Sequence, residues 1–409
     1  MDRLNRFYAP EVVKGWRAIA LGVGGIGSII VLGAAIISPD MREQALRSWL
    51  LGFIFWAGIG IGCLGILMTQ YLTGGAWGVI SRRFLEAGSR TLPVIVLLFI
   101  PLALGVYFRD IYTWTHLPPT EHTMVQRGLF MTPVAWIGRS LIYFALFGFM
   151  AWFLNRRSAL QDSATNVDDA AKVMIESSRF SGPAIIFWCL IVSFAAVDWV
   201  MELDPHFSST IYGMLFIAGW GLSSVCFTTV MLAVLGEIAP LNSAVGKRHF
   251  HDYGKLMLTF VMVWAYFNFA QYLIIWSGNI PEETEWFVVR ETRIWGWIGV
   301  ILIFLHFALP FLVLLKQDFK RKPMRLASLA IFILVMRVFD MLYLIGPNPR
   351  ISIPGSDHGT YIISWLDAIG PIAVGGIWLW WYLGELIKRP LVPVNDPYFE
   401  NAVEHGKGH

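Results

Sequence analysis

Eight ionisable residues interrupt the long apolar runs of this chain and are the first candidates for chemistry. They comprise two arginines, three aspartates, two glutamates and one histidine: Arg139, Asp198, Glu237, His306, Arg337, Asp340, Asp367 and Glu385. A charge within a bilayer costs about 2.5–3.5 kcal/mol on insertion scales, so such residues are functional candidates by default. The arginines and aspartates can also pair into a nearly neutral cluster that only holds helices together. Both interpretations stay open, and the two glutamates lie close enough to their run ends to be solvated.

A second polar group follows one face of a predicted helix. Asn268, Gln271 and Tyr272 are spaced at i, i+3 and i+4, which places them on the same face. Tyr266 precedes them in the same run, and Lys255 lies at its start. This face predicts either a structural hydrogen-bond network or part of a proton path.

The sequence lacks motifs for a prosthetic group bound by this chain. Of nine histidines only His306 lies well inside an apolar run, whereas a b-type haem needs ligands on facing helices. The three cysteines are far apart, which fits neither a disulfide framework nor an iron–sulfur cluster. The glycine-rich run at 58–65 lies inside an apolar stretch, so we expect close helix packing there rather than nucleotide binding. We expect neither a metal nor a cofactor on this chain.

The composition places these residues in a membrane protein. The chain has 409 residues, of which 56% are hydrophobic and only 14% are charged, against about 25% charged residues in soluble proteins. The mean hydropathy is +0.60. These values exclude a soluble domain, and a net charge of +3 offers no basic patch for nucleic acid.

Ten apolar runs are long enough to cross a bilayer as helices. They lie near residues 16–37, 48–72, 92–108, 133–154, 180–201, 211–239, 255–277, 294–316, 325–345 and 362–387. We therefore predict an all-α polytopic membrane protein with ten transmembrane helices. Of the 31 Lys and Arg residues, 22 fall on the side of the two termini, and the positive-inside rule then predicts that both termini are cytoplasmic.

Two of the predicted spans end in similar patterns. Asp198 and Asp340 each precede a proline by seven residues, and both spans are predicted to run in the same direction. This agreement predicts a parallel repeat of two four-helix bundles. The predicted segments are a cytoplasmic leader at 1–15, a first helix and loop at 16–47, bundles at 48–201 and 202–345, an outer loop and tenth helix at 346–387, and a cytoplasmic tail at 388–409.

Several stretches resemble the second large membrane subunit of alternative complex III. That family comprises bacterial oxidoreductases that pass electrons from quinol to cytochrome c or another acceptor, and the subunit belongs to the polysulfide-reductase membrane-anchor superfamily. The stretches are 194–212 (FAAVDWVMELDPHFSSTIY), 251–256 (HDYGKL), 264–276 (WAYFNFAQYLIIW), 279–283 (NIPEE) and 306–315 (HFALPFLVLL). The resemblance runs through most of the chain and is densest from 180 to 345.

The resemblance implies a ten-helix fold and partner subunits that carry haem c and iron–sulfur clusters, with menaquinol or ubiquinol as the electron donor. It also implies a paralogous quinone-binding membrane subunit, which carries a Trp-His-Thr-Thr-Ile-Phe run with its histidine at the quinone site. Alignment on residues 210–212 places Phe207 at that tryptophan and Ser208 at that histidine. This difference argues against direct quinol oxidation by this chain, although Asp204, His206 and Ser208 are candidates for residues near a quinone.

The leading prediction is a cofactorless integral subunit of such a complex in the bacterial cytoplasmic (inner) membrane. It would anchor the assembly in the lipid bilayer and offer a proton route across it. The predicted route comprises Glu237, Asp252, Lys255, His306, Tyr266, Gln271, Tyr272, Arg139, Asp198, Arg337 and Asp340. The alternatives are a secondary transporter, suggested by ten spans with buried charges, and a purely structural scaffold subunit.

Overall fold

The computed structural model describes residues 7–164, 166–239, 241–351, 363–393 and 395–407. Helices form most of these described residues, and no strand occurs among them, which confirms the all-α prediction. Parts of the predicted leader (1–6), outer loop (352–362) and tail (408–409) lie outside the described residues.

Sixteen α-helices occur in the described part of the chain. They are α1 Val12–Ile37, α2 Pro39–Thr73, α3 Ala76–Ser89, α4 Leu92–Tyr107, α5 His122–Arg127, α6 Pro133–Asp162, α7 Val167–Trp199, α8 Tyr212–Gly236, α9 Lys247–Gly278, α10 Pro281–Glu291, α11 Arg293–Ile301, α12 Leu309–Leu315, α13 Gln317–Lys320, α14 Pro323–Ile345, α15 Leu366–Ile387 and α16 Phe399–Lys407. A π-helical turn, Leu302–Ala308, joins α11 to α12.

Ten segments of the described chain are long and apolar enough to cross a membrane, which confirms the predicted multi-span architecture. They are α1, α2, α3 with α4, α6, α7, α8, α9, α11 with α12, α14 and α15. Helices suit this environment because they satisfy every backbone group within the segment. We call the side on which α1 begins and α15 ends the α1 side.

The third crossing is made by two helices, α3 and α4, which meet at Arg90. The sequence predicted only residues 92–108 there, so that prediction was too short. A search for uncharged runs passes over α3 because the helix contains two arginines and a glutamate. The structure nevertheless buries all of α3 from Gly78 to Ser89.

Helix α2 lies at the centre of the molecule and contacts α1, α3, α7, α8 and α15. The apolar window of this helix is 94% buried. Glycines allow the close approach of α8: a Cβ added at Gly58 would lie 2.3 Å from the indole of Trp220, and one at Gly62 would lie 2.2 Å from the hydroxyl of Ser224. These distances confirm close packing by small residues in the glycine-rich run.

The remaining crossings form two groups around α2 and α8. Helices α4, α6 and α7 pack with α2, whereas α9, the α11–α12 segment and α14 pack with α8 or with one another. The first and last crossings, α1 and α15, pack side by side. The parallel repeat and the predicted segments stay predictions.

Packing of α1 against α15 predicts a position-specific effect of adding one methyl group. A Cβ at Gly24 would lie 2.4 Å from the backbone nitrogen of Ile377, whereas no atom of the described residues lies within 4 Å of a Cβ at Gly25. Gly24→Ala should therefore lower the unfolding temperature of the detergent-solubilised protein, since overpacking costs about 1–3 kcal/mol. Gly25→Ala makes the same chemical change and should not lower it. Equal unfolding temperatures for the two variants would contradict this packing.

Candidate functional site

The first intramembrane polar cluster, the Asp198 cluster, comprises Arg139, Tyr143 and Asp198. The guanidinium of Arg139 donates from Nε and Nη2 to the two carboxylate oxygens of Asp198, at 2.8 and 3.0 Å. The hydroxyl of Tyr143 donates to the same carboxylate at 2.8 Å. Asp198 is 1% exposed, so its charge is balanced by a bidentate pair that joins α6 to α7.

The second cluster, the Asp340 cluster, comprises Trp264, His306, Arg337 and Asp340. Within α14, Arg337 donates to the carboxylate of Asp340, and the indole nitrogen of Trp264 on α9 donates to it at 3.1 Å. The ring of His306 meets the ring of Trp264 edge to face, with 4.2 Å between centroids. All four side chains are buried.

His306 occupies an unusual position within this cluster. It lies in the π-helical turn between α11 and α12, and such turns occur frequently at functional sites. Neither ring nitrogen has a hydrogen-bond partner among the described residues, and the same holds for Nε of Arg337. Buried polar atoms are nearly always partnered, so His306 is the side chain of this cluster that is best placed to exchange a proton.

The sequence left open that the buried arginines and aspartates pair in one cluster, but the structure places them apart. Two arginine–aspartate pairs form in different helix groups, and Asp367 lies in a third place. Its carboxylate accepts hydrogen bonds from Gln44 and Ser48 of α2, at 2.8 and 2.6 Å. The buried arginines and aspartates therefore do not form a single cluster, because each aspartate accepts from donors of its own helix or of a helix packed against it.

The polar face predicted on α9 is only partly directed inward. Gln271 is 3% exposed, whereas Tyr266 and Tyr272 are 65% and 40% exposed. Asn268 donates to the backbone carbonyl of Trp264 at 2.9 Å. The structure thus places Gln271 in the interior but does not bring the two tyrosines to the buried His306.

The candidates on the α1 side lie near the surface. Glu237 follows the last residue of α8 and is exposed, as its place near a run end suggested. Asp252 accepts from His405 of α16 at 3.0 Å and from Lys255 at 3.4 Å. Glu385 differs from the expectation of a solvated group: it is buried and accepts from Nε of Arg90 at 3.1 Å.

The three candidates for quinone proximity lie in the loop after α7, on the opposite side. Asp204 is buried and accepts from the backbone nitrogen of His206 at 3.2 Å. The side chains of His206 and Ser208 are exposed. The structure therefore does not gather these three side chains around one buried space.

An aromatic anchor holds the same loop, and the sequence analysis did not identify it. Phe207 is 2% exposed and stacks on Trp286 of α10, with ring centroids 4.7 Å apart. Arg290 lies 3.3 Å above the Trp286 ring and donates to the side-chain oxygen of Asn348 at 2.9 Å. Burial lowers the pKa of Arg290 to about 10, so its guanidinium stays charged at neutral pH.

A buried ion network around α3 was also missed. Arg82 donates to Asp396 at 2.7 Å, and Arg83 donates to Glu86 at 2.8 Å. Ser158 of α6 donates to the second oxygen of Glu86 at 2.6 Å. The spacing of Arg82, Arg83 and Glu86 at i+3 and i+4 was the available signal, although it does not reveal that the whole network is buried.

Metal-binding geometry is not found in the described part of the chain, where no group of three or more His, Cys, Asp or Glu residues is placed to hold an ion.

We predict that removing one member of the α3 network strongly lowers the stability of the protein. Asp396→Asn removes the carboxylate to which Arg82 donates at 2.7 Å and leaves it only the more distant carboxylate of Glu86, at 3.7 Å, among the described residues. Breaking a buried pair costs about 3–5 kcal/mol. We expect a lower unfolding temperature and faster proteolysis of the tail at 395–407. Lys14→Gln, which breaks an exposed pair with Glu11 at 2.8 Å, should change stability by less than about 1 kcal/mol. Equal effects of both substitutions would contradict the assignment of a stabilising buried pair.

Comparison with known proteins assigns no family to this chain: no family model matches the sequence, and no curated protein matches it. The described residues show a multi-span helical membrane protein with two separate arginine–aspartate pairs inside its crossings.

Proposed function

We propose that this chain is a membrane subunit of a quinol-oxidising electron-transfer complex of the alternative complex III type. In this role it anchors the assembly in the bacterial cytoplasmic membrane, with both termini cytoplasmic, and provides a route for protons. The sequence resemblance at 194–212 and 264–276 supports the family. The multi-span helical architecture is compatible with it.

The observation that carries the proton route is the environment of His306. Its imidazole is buried beside Trp264 and Arg337, without a hydrogen-bond partner among the described residues. A buried polar group without a partner is costly, and the two ring nitrogens of an imidazole can act as a hydrogen-bond donor and a hydrogen-bond acceptor at the same time. Trp264 contacts the His306 ring and donates from its indole nitrogen to the Asp340 carboxylate, so we assign Asp340 as the group that exchanges the proton with His306.

Partner subunits must supply the electron chemistry and the driving force. Moving one charge against 100 mV requires about 2.3 kcal/mol, and the route through this chain has no redox centre in our proposal. Haem c and iron–sulfur subunits take the electrons, and the paralogous membrane subunit binds menaquinol or ubiquinol. The loop that contains Asp204, His206 and Ser208 lies on the opposite side from the chain ends, where it can face such partners.

If this chain is a subunit of such a complex, the other subunits should co-purify with it. A tagged copy of this chain, purified from mild-detergent extracts of its native membrane, should carry haem-staining subunits on a native gel. The resemblance to a subunit of a multihaem complex is the reason for this expectation. Recovery of the chain alone, together with solute uptake when it is reconstituted in liposomes, would replace this proposal with the secondary transporter.

The proton route predicts that neutralising a cluster carboxylate lowers proton transfer. Asp340→Asn and Asp198→Asn, each introduced into the intact complex, should reduce the number of protons moved per electron while quinol oxidation continues. The measurement is acidification by proteoliposomes that contain the complex during quinol oxidation. Asp367→Asn is the matched control, because it changes a buried carboxylate in a third place and should leave the ratio unchanged.

Two outcomes oppose the route. An unchanged proton-to-electron ratio in both Asp198→Asn and Asp340→Asn would exclude it. Loss of assembly without any change in the ratio of the remaining complex would favour the passive scaffold.

A further inference from the structure

A groove opens between α4, α6 and α15 on the α1 side of the membrane. It encloses about 610 Å³ and is lined by residues from the start of α4, the second half of α6 and the end of α15. None of the residues discussed for proton transfer lines it. The groove therefore needs an explanation of its own.

The deep part of the groove is apolar and long. Leu92, Val96 and Phe144 line it, and Gly148 widens it, because no atom in the described part of the chain lies within 4 Å of a Cβ at that position. Phe144 and Arg156 are both lining residues of α6, and the helical rise places them about 18 Å apart along its axis. One bilayer leaflet has a hydrocarbon thickness of about 15 Å, so the groove has the depth of an acyl chain.

The mouth of the groove is positively charged. Arg90, Arg156 and Arg389 line it together with one carboxylate, Glu385. Arg90 is held by Glu385 at 3.1 Å, and Arg389 lies 3.8 Å from Glu86.

Arg156 is the cation of the mouth that remains available to a ligand. It is exposed and has no carboxylate within ion-pair distance among the described residues. Its guanidinium lies 5.3 Å from the centroid of the Trp152 ring. A half-exposed tryptophan beside an arginine is typical of the membrane interface.

We propose that this groove binds an anionic phospholipid of the leaflet on the α1 side. The phosphate contacts Arg156 and Arg389, whose planar donor groups match its oxygens. One acyl chain lies along Val96, Phe144 and Gly148. The basic mouth favours an anionic headgroup over a zwitterionic one, and the apolar depth favours a lipid over a free phosphate ion. This inference does not rest on the proposed function.

The test is native mass spectrometry of the full-length protein titrated with phosphatidylglycerol and, separately, with phosphatidylcholine. The wild type should bind the first phosphatidylglycerol at least about five-fold more tightly than phosphatidylcholine, since one basic residue near an anionic headgroup contributes on this scale. Arg156→Gln should reduce this preference about five-fold, because an exposed cation can be removed without disturbing the fold. Gly148→Leu should reduce binding of both lipids by filling the groove.

Two matched variants control for general effects. Gly138→Leu introduces the same side chain elsewhere on α6, where a Cβ also has no described neighbour within 4 Å. Arg325→Gln removes another exposed arginine on the α1 side, at the start of α14. Both controls should retain the wild-type preference.

Three results would overturn the proposal. One is a wild-type preference that survives both Arg156→Gln and Gly148→Leu. Another is displacement of the lipid by inorganic phosphate alone, which would identify a headgroup site without a chain site. The third is displacement by a short-chain quinone, which would make the groove a quinone site instead. Should Gly148→Leu fail to fold, Arg156→Gln decides the question by itself.

Discussion

The position of α3 depends on its buried ion network, and much of the α1 side depends on α3. Arg82 and Arg83 are at most 1% exposed, and their charges are balanced by Glu86 within the helix and by Asp162 and Asp396 outside it. Because these partners belong to α6 and to the segment before α16, the network ties three parts of the chain together. Full burial requires such pairing, since an isolated charge in a low-dielectric interior is far too costly.

In both intramembrane clusters an arginine balances the charge of a buried aspartate, but the clusters differ in whether every polar atom has a partner. At Asp198 every charged atom is matched by a donor from Arg139 or Tyr143, so the cluster is satisfied and joins two helices. At Asp340 the pair is similar, but the neighbouring His306 keeps both ring nitrogens without partners among the described residues. Other buried side chains of the described chain also contain one polar atom without a partner, but His306 lacks partners at two atoms, which is why the proton route is centred there.

Particular elements show how far sequence reasoning reaches in this chain. The apolar runs predicted ten crossings because hydrophobic length alone decides whether a segment can span a bilayer. The same criterion made the predicted third crossing too short, because α3 contains charged residues and is nevertheless buried. It also suggested a solvated Glu385, which instead accepts from Arg90. Both predictions were wrong for the same reason: a charged side chain was expected to be solvated, whereas an oppositely charged partner allows it to be buried.

The class of the protein, the number of its crossings and the residues whose charges need partners follow from the amino-acid sequence alone. Those properties depend on local composition and on helical periodicity, which are present in the linear chain. The pairing of each aspartate with its arginine, the separate place of Asp367 and the outward direction of Tyr266 and Tyr272 became visible only in the folded chain. The same is true of His306, which lies in a π-helical turn without a hydrogen-bond partner among the described residues. Pairing between distant residues is a property of helix packing, and side-chain direction around a helix follows from the neighbours it packs against.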